Sequence, residues 1–188
     1  MQMMDALFKL FDSIIIKFNC TKIETIGDAY FVVSGCPDDY PDHAAEIARF
    51  ALAIRNSYII DFRIPHLPND RLRMRIGLHS GSVAASVVGK KMPRWCLFGE
   101  DLTTVANCES NGEANKIHLS KTIFEKLKTK RFSNNEPMFI LGKNKQTNKQ
   151  IYNSDFTSTG TRKSIAHIGD FEIAERRTDS GLQIHPDG

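Results

Sequence analysis

Asp28 is the residue of this sequence whose position suggests chemistry most directly. It follows Gly27 between two short runs rich in Ile, Val, Thr, Tyr and Phe, residues 21–26 and 29–34, and so lies at the turn of a predicted hairpin. A short carboxylate that projects from the end of a sheet can hold a hard cation such as Mg²⁺. Gly-Asp is also ordinary turn chemistry, and spacing alone favours that simpler interpretation.

Other polar and glycine-rich features carry weaker signals. The basic segment KKMPR at residues 90–94 could attract phosphate, although a run this short is more often a solvated loop. Gly77, Gly81 and Gly89 form neither a P-loop nor a dinucleotide-binding fingerprint. The four cysteines lie far apart, with no C-x-x-C pair and no histidine at zinc spacing, so we expect reduced thiols in an intracellular compartment.

Length and charge bound the class of protein. The 188 residues, 41% of them hydrophobic, suffice for one domain with a core, or for a domain and a tail. A net charge of +3 gives no support to a protein that wraps nucleic acid. No apolar stretch is long enough for a membrane span, and no secretory signal opens the sequence, so we expect a soluble chain.

Periodicity predicts the elements that position these residues. An apolar stripe over residues 4–18 predicts an amphipathic helix, and Pro41-Asp42 opens a second one. Strict alternation over residues 71–78 predicts a strand with one buried face. Strands and helices alternate through to about Leu127, which predicts an α/β or α+β fold with a mixed sheet. Residues 153–188 are rich in Ser, Thr, Gly, Asp and Arg and are predicted to form a disordered tail.

Taken together, the motifs closely resemble the catalytic domain of the class III nucleotide cyclases, and among these the guanylate cyclases, particularly the receptor type. The match covers residues 4–128 and continues more weakly to 152. The motifs that carry it are, in order, KIETIGDAY (22–30), VVSG (32–35), HA (43–44), RIGLHSG (75–81), VVG (87–89), KMPRWCLFG (91–99), ESNGE (109–113) and KIHLS (116–120).

The resemblance implies a ferredoxin-like α+β sandwich, at residues 1–152, that works as a dimer. Each site of such a dimer uses two aspartates of one chain to bind two Mg²⁺ (or Mn²⁺) ions, which activate the 3′-hydroxyl of the substrate and brace its α-phosphate while pyrophosphate leaves. The second chain supplies a purine-selecting pair, an Asn and an Arg that steady the ribose and transition state, and a Lys on the phosphates.

Several positions of this sequence keep the family's chemistry. Asp28 matches the second of the two metal-binding aspartates. Glu24 and Cys96 match the purine-selecting pair in its guanine form, in which a carboxylate accepts from the guanine ring N–H and amino group and a thiol faces the 6-oxo group. The resemblance therefore implies GTP as the nucleotide.

Other positions depart from the family. Its Asn falls on Thr103, its transition-state Arg on Asn107, and its phosphate-binding Lys on Leu141. Loss of one preorganised cation or donor costs on the order of 100- to 1000-fold in rate. The first metal-binding aspartate, with the central strand that carries it, would lie ahead of Met1, so we expect a sheet that is incomplete at its N-terminus.

These observations favour a guanylate cyclase catalytic domain that converts GTP to cyclic GMP and pyrophosphate. Two alternatives stay open: an inactive cyclase-like partner that dimerises and regulates, and an incomplete fragment whose first helix lacks its central strand. Intact Asp28, Glu24 and Cys96 favour activity, whereas Thr103 and Asn107, together with Leu141, favour the inactive partner. We expect a homodimer or, better supported, a heterodimer with another guanylate cyclase subunit, in the cytoplasm or as the intracellular part of a membrane receptor, with no nucleic-acid partner.

Overall fold

The computed structural model describes residues 2–64, 72–127, 139–141 and 162–173. Within these ranges helices and strands alternate along the chain in the order α1 (Gln2–Ile15), β1 (Cys20–Ile26), β2 (Ala29–Ser34), α2 (His43–Asp61), β3 (Leu72–Ser82), β4 (Ala84–Val88), β5 (Arg94–Phe98), α3 (Asp101–Ser110), β6 (Ile117–Leu119), α4 (Lys121–Leu127), β7 (Phe139–Leu141) and β8 (Arg162–Ile173).

Six strands form one mixed sheet in the order β1-β2-β8-β3-β6-β7. The pairs β3–β6 and β6–β7 are parallel, and the other neighbours are antiparallel. The strands β4 and β5 form a separate antiparallel ribbon. The predicted α+β class with a mixed sheet is therefore confirmed.

Apolar side chains cover both faces of the six-stranded sheet. On one face α1 and α2 pack against the sheet, and the fully buried members of this cluster include Leu7, Phe11, Tyr30, Ile47, Phe50, Ile54, Ile76 and Leu78. A smaller cluster on the other face joins Phe31, Val33, Leu97, Val105 and Ile165, which brings β5 and α3 onto the sheet. The predicted apolar stripe of α1 is thus largely buried rather than left as an exposed patch. Among the described helices, none is both long and apolar enough to cross a membrane.

Local patterns account for most of these elements. The hairpin at Gly27-Asp28 joins β1 to β2 as predicted, and the second helix begins directly after Asp42. Along β3, the alternating apolar residues from Leu72 to Leu78 are buried, as their spacing predicts. Residues 142–152, where the resemblance is weaker, lie outside the described residues.

The strand β8 corrects two expectations. Residues 162–173, predicted to belong to a disordered tail, form a strand between β2 and β3 in the middle of the sheet. The central place in the sheet is therefore filled, and the expectation that α1 lacks a central strand to pack on is wrong. Composition misled here because scattered polar residues hide the buried Ile165, Ala166 and Ile168.

Candidate active site

The turn between β1 and β2 presents Asp28 to solvent. Gly27 adopts a left-handed backbone conformation with φ of 62°, which a residue without Cβ adopts readily, and this permits the tight turn. The side chain of Asp28 is exposed and has no hydrogen-bond or ion-pair partner within the part of the chain that the structure describes. Its carboxylate is therefore accessible at the end of the sheet, and carboxylate oxygens are the ligands that hard cations prefer.

Glu24 lies four residues before this turn, on β1. It pairs in register with Phe31 of β2, next to a register shift between Lys22 and Glu24 that marks a β-bulge. Its Oε2 lies 3.4 Å from Nη2 of Arg94, the first residue of β5. Because both side chains are partly exposed, the ion pair contributes only about 0–1 kcal/mol. The Glu24 carboxylate therefore remains available to a ligand.

Cys96 lies two residues beyond Arg94 on the same strand. Its Sγ is 3.7 Å from the main-chain oxygen of Arg94, and the residue is half-buried. Arg94 thus contacts Glu24 through its side chain and Cys96 through its carbonyl. The two predicted purine-selecting residues therefore both contact Arg94, Glu24 from β1 of the six-stranded sheet and Cys96 from β5 of the separate ribbon.

Thr103 and Asn107 lie on α3, both exposed. They are four residues apart and so occupy one face of the helix. Neither side chain carries a positive charge, so this face lacks the cation that the resemblance leads one to expect. The third departing position, Leu141, ends the edge strand β7.

Two side-chain contacts with β3 fix the position of α3. The sequence did not lead us to predict them. Arg75 Nε lies 3.0 Å from Oε1 of Glu109, and His79 Nε2 lies 2.9 Å from Oδ1 of Asp101. Gly77 lies on β3 between the two residues that make these contacts. The signal was present in the sequence, because residues 75, 77 and 79 share one face of a strand and residues 101, 105 and 109 share one face of a helix.

A hydrogen-bond network extends from the first of these helix residues. The second oxygen of Asp101 accepts the main-chain N–H of Ser82 at 2.6 Å. On the other side of the imidazole, His79 Nδ1 lies 2.8 Å from Oγ of Ser120, just before α4. Because a carboxylate only accepts, His79 carries its proton on Nε2 and accepts from Ser120 at Nδ1 in its neutral form. The network joins β3, α3 and α4.

A second polar cluster anchors α1 against the hairpin. Tyr30 Oη donates a hydrogen bond of 2.5 Å to Oδ1 of Asp12, and Lys22 Nζ lies 2.9 Å from the same oxygen. Burial alone would raise the pKa of Asp12, but the hydrogen bonds from Tyr30 and Lys22, with the lysine charge, outweigh it and lower the pKa. Burial, followed by the hydrogen bond to Asp12, raises the pKa of Tyr30.

Burial also controls the ionisation of two thiols outside the site, Cys20 and Cys108. Burial raises the pKa of Cys20 to about 12 and that of Cys108 to about 11. Both therefore stay protonated at neutral pH. No group of three or more His, Cys, Asp or Glu residues that could hold a metal occurs among the described residues.

Comparisons with known proteins identify the family of this domain. Residues 1–153 match the family described as the adenylate and guanylate cyclase catalytic domain. The chain therefore belongs to the family of cyclase catalytic domains, and the resemblance seen in its motifs is confirmed.

The similar proteins of known sequence include receptor guanylate cyclases, which are enzymes. The chain is 54% identical over 121 residues to atrial natriuretic peptide receptor 2 of Homo sapiens, an alignment that covers 64% of this chain and 12% of that protein. It is 46% identical over 123 residues to a receptor-type guanylate cyclase of Caenorhabditis elegans, which covers 65% of this chain and 10% of that protein. The aligned region is thus about a tenth of each relative's length.

Solved structures of cyclase domains share the fold. The guanylyl cyclase domain of a RhoGC fusion protein from Blastocladiella emersonii, described as a non-canonical dimer, superposes with a TM-score of 0.63 at 35% identity over 68% of this chain and 70% of that one. The guanylate cyclase domain of RhGC from Catenaria anguillulae, solved in complex with GTP, superposes with a TM-score of 0.62 at 29% identity over 88% of this chain and 81% of that one.

Proposed function

We propose that this chain is a guanylate cyclase subunit that binds GTP at a dimer interface and takes part in its conversion to cyclic GMP and pyrophosphate. The observation that supports the proposal is that Glu24 and Cys96 both contact Arg94, the carboxylate through an ion pair and the thiol through the main-chain oxygen. These two side chains come from different strands, and their chemistry matches the edge of a guanine base.

Guanine selection follows from the hydrogen-bonding capacity of the two groups. An ionised Glu24 offers only acceptors, which suit the guanine ring N–H and exocyclic amino group. The Cys96 thiol is a weak donor and suits the 6-oxo group. Adenine presents the opposite pattern, because its ring nitrogen accepts and its 6-amino group donates, and so would leave these groups unpaired. Arg94 orients Glu24 through a weak ion pair that a ligand can replace.

The cofactor we propose is Mg²⁺ or Mn²⁺, held by Asp28. The donor chemistry fits, because Asp28 offers a solvent-accessible carboxylate and hard cations prefer oxygen ligands. When bound, such ions neutralise the triphosphate and lower the pKa of the attacking hydroxyl. Asp28 contributes its charge from the hairpin turn, where the glycine before it keeps the backbone compact.

The two sites of a homodimer would lack essential groups on α3. Thr103 and Asn107 offer a hydroxyl and a neutral amide where the family has an Asn and an Arg, so they cannot supply a cation for the transition state. A partner with intact residues at these positions would complete the site that uses Asp28. We therefore favour a heterodimer with another guanylate cyclase subunit.

The ribbon of β4 and β5 supports association with a second cyclase domain. Every residue of β4 is exposed, and the apolar side chains of Val87, Val88, Met92 and Phe98 are exposed along the ribbon and its loop, with Met92 81% accessible. An apolar surface of this kind is usually covered in the assembled protein. It lies on the same ribbon as Cys96, so a partner bound there would border the proposed nucleotide site.

A regulatory partner that dimerises without catalysis is the second candidate. The neutral side chains of Thr103 and Asn107 favour it. The two candidates differ in whether Asp28 is needed for cyclic GMP formation by the assembled dimer. A regulatory chain would raise or lower the partner's activity with or without this carboxylate.

The test of nucleotide choice uses the chain paired with a guanylate cyclase subunit whose own purine-selecting pair has been replaced, so that base preference comes from Glu24 and Cys96 alone. Binding of fluorescent GTP and ATP analogues is measured by anisotropy for the wild type and for the variant Glu24→Lys with Cys96→Asp, the pair typical of adenylate cyclases. We expect wild-type preference for GTP and a shift toward ATP in the variant. Ser86→Ala, on β4 opposite Cys96 in register, serves as the control and should keep the GTP preference. Equal affinity for both nucleotides in all three proteins contradicts the proposal.

A further inference from the structure

Strand β1 contains one residue more than its partner β2 in the paired region. Lys22 pairs with Val32 and Glu24 pairs with Phe31, so the register shift leaves Ile23 as the additional residue. Ile23 and Glu24 of β1 therefore face the single residue Phe31 of β2, and this is the arrangement of a β-bulge. Bulges re-aim side chains and are frequent beside functional sites.

The bulge separates Lys22 and Glu24 onto opposite faces of the sheet, although residues two apart in a regular strand share one face. The Nζ of Lys22 lies 2.9 Å from Oδ1 of Asp12 on α1, whereas Glu24 reaches Arg94 of β5. Regular pairing continued from Lys22 would set Glu24 opposite Tyr30, whose hydroxyl binds Asp12 on the α1 face. The bulge therefore keeps the Glu24 carboxylate away from that of Asp12 and directs it toward the ribbon.

Ile23 anchors the bulge through apolar packing. Its side chain is half-buried and packs against the cluster that contains Phe31 of β2 and Leu97 of β5. Leu97 directly follows Cys96, so one cluster joins the bulge to the strand that carries the thiol. Because such clusters are close-packed, they fix the distance between the elements that they join. The position of Glu24 relative to Cys96 thus depends on Ile23.

Recognition of a base edge requires this precision. Hydrogen bonds between N–H and O span only about 2.7–3.2 Å between the heavy atoms and weaken steeply with angle, so a carboxylate displaced by about 1 Å loses them. The ion pair between Glu24 and Arg94 is partly exposed and too weak to hold the carboxylate by itself. An apolar anchor at the adjacent residue supplies the rigidity that the ion pair lacks.

We propose that Ile23 is a positioning residue for base selection, because its packing holds the bulge that turns Glu24 toward Arg94 and Cys96. The contact of Glu24 with guanine rests on the proposed function. The direction of Glu24 rests on the register and the packing of β1. Ile23 acts through Glu24 and needs no contact with the nucleotide.

The experiment compares GTP with ITP, whose base lacks the 2-amino group of guanine but keeps the ring N–H and the 6-oxo group. The chain is paired with a guanylate cyclase subunit whose own purine-selecting pair has been replaced, and each nucleotide competes with a fluorescent GTP analogue in anisotropy measurements. We expect the wild type to prefer GTP by about tenfold or more, since ITP forfeits a hydrogen bond to a charged group. Ile23→Ala should reduce this preference by about fivefold or more through displacement of the carboxylate. Ile23→Val, which keeps a β-branched apolar side chain, should retain it.

Val83→Ala is the matched control, because Val83 packs against the same cluster from the connection between β3 and β4. It should lower the melting temperature measured by circular dichroism, as Ile23→Ala does, and yet keep the GTP preference. In the background of Glu24→Ala, Ile23→Ala should change the preference no further, since a positioning residue has no effect once the group that it positions is gone.

Three results overturn the inference. The first is an unchanged GTP preference in folded Ile23→Ala. The second is an equal loss of preference in Val83→Ala, and the third is an equal weakening of GTP and ITP binding by Ile23→Ala, because both reflect a general loss of packing.

A second measurement needs no nucleotide and separates failure of the inference from failure of the proposed function. In the ¹⁵N-labelled full chain, Glu24→Gln should shift the side-chain Nε–H resonance of Arg94, and Ile23→Ala should largely abolish this response. If Arg94 behaves in this way but the wild-type heterodimer binds GTP and ITP equally, Ile23 positions Glu24 and the proposed base selection fails. If the wild type prefers GTP and Arg94 responds to Glu24→Gln equally with Ile23 or Ala at that position, base selection stands and the inference fails.

Discussion

His79 and Asp101 are joined by a contact of 2.9 Å between Nε2 and Oδ1, which fixes the first turn of α3 to strand β3. At the other end of the helix, Arg75 and Glu109 form a second tie at 3.0 Å, with the glutamate almost fully buried. The two α3 residues in these contacts are eight positions apart, so both ends of the helix are attached to β3. These two contacts therefore determine the position of any nucleotide site that includes the exposed face of α3.

Between these two contacts, the backbone of α3 packs directly against Gly77 of β3. A Cβ there would overlap the main-chain N of Glu109 and lie 2.8 Å from the carbonyl oxygen of Val105, so α3 would have to move. We expect Gly77→Ala to lower the free energy of unfolding by ~1–3 kcal/mol, the range typical of overpacking. Urea denaturation measures the loss. Thr103→Ala, on the exposed face of the same helix, should change stability by less than about 0.5 kcal/mol; an equal loss there contradicts the close packing.

Much of this arrangement can be predicted from sequence, because local patterns encode it. The hairpin at Gly27-Asp28, the buried face of β3 and the start of α2 follow from turn chemistry and periodicity. The approach of Glu24 to β5 could not be predicted from spacing, since it depends on how the β4–β5 ribbon packs on the sheet. Only the resemblance to a known family grouped Glu24 with Cys96.

The central strand was missed for a different physical reason. A strand buried on both faces is identified by a continuous apolar run, and β8 contains Ser164, His167, Gly169 and Asp170 among its apolar residues. Its position in the sheet depends on pairing with the edges of β2 and β3. That pairing joins residues far apart in sequence, so local patterns do not report it. Composition reports on the average of a segment, and here the average of residues 153–188 hides a twelve-residue strand.

The register of β8 predicts a specific disulfide. Val32 and Ala166 are direct Cα partners, and opposed residues of adjacent antiparallel strands lie within the range that a disulfide spans. We expect Val32→Cys with Ala166→Cys to form a crosslink under mild oxidation, detected by mass spectrometry of the digested protein. The control pair, Val33→Cys with Ala166→Cys, places the thiols on opposite faces and should stay reduced. Comparable crosslinking in both pairs would show that the strand is not held in this register.

The cluster around Asp12 predicts a pH-dependent stability. Since the pKa of Asp12 is lowered in the folded state, its contribution is present above the unfolded-state pKa, near 3.8, and is lost as pH falls through the folded-state value. Wild type should therefore exceed Asp12→Asn in stability at pH 6, and the difference should shrink below about pH 4. Thermal melts across this range measure it. Asp5→Asn, on the same helix, is the matched control, and a difference that stays constant with pH would refute the assignment.

The last prediction concerns which site of a heterodimer can turn over. In the proposed dimer the site that uses Asp28 would be completed by the partner's α3. Glu24 and Cys96 would belong to the other site, which this chain's own Thr103 and Asn107 would complete. In a heterodimer with an intact guanylate cyclase subunit, whose own homodimeric activity has been removed, Asp28→Ala should abolish cyclic GMP formation. Removal of a carboxylate that holds the metal ions leaves the triphosphate charge uncompensated.

Glu24→Ala should spare most of the activity of the same heterodimer, because the base at the working site is selected by the partner. The two variants form a matched comparison, since each removes one carboxylate from the β1–β2 hairpin or its turn. Rates of cyclic GMP formation are measured at saturating GTP with Mn²⁺, after equal assembly of the three heterodimers has been verified by size-exclusion chromatography. Equal loss of activity in both variants would show that the two sites do not divide their roles in this way, and unchanged activity in both would identify the chain as a regulatory partner.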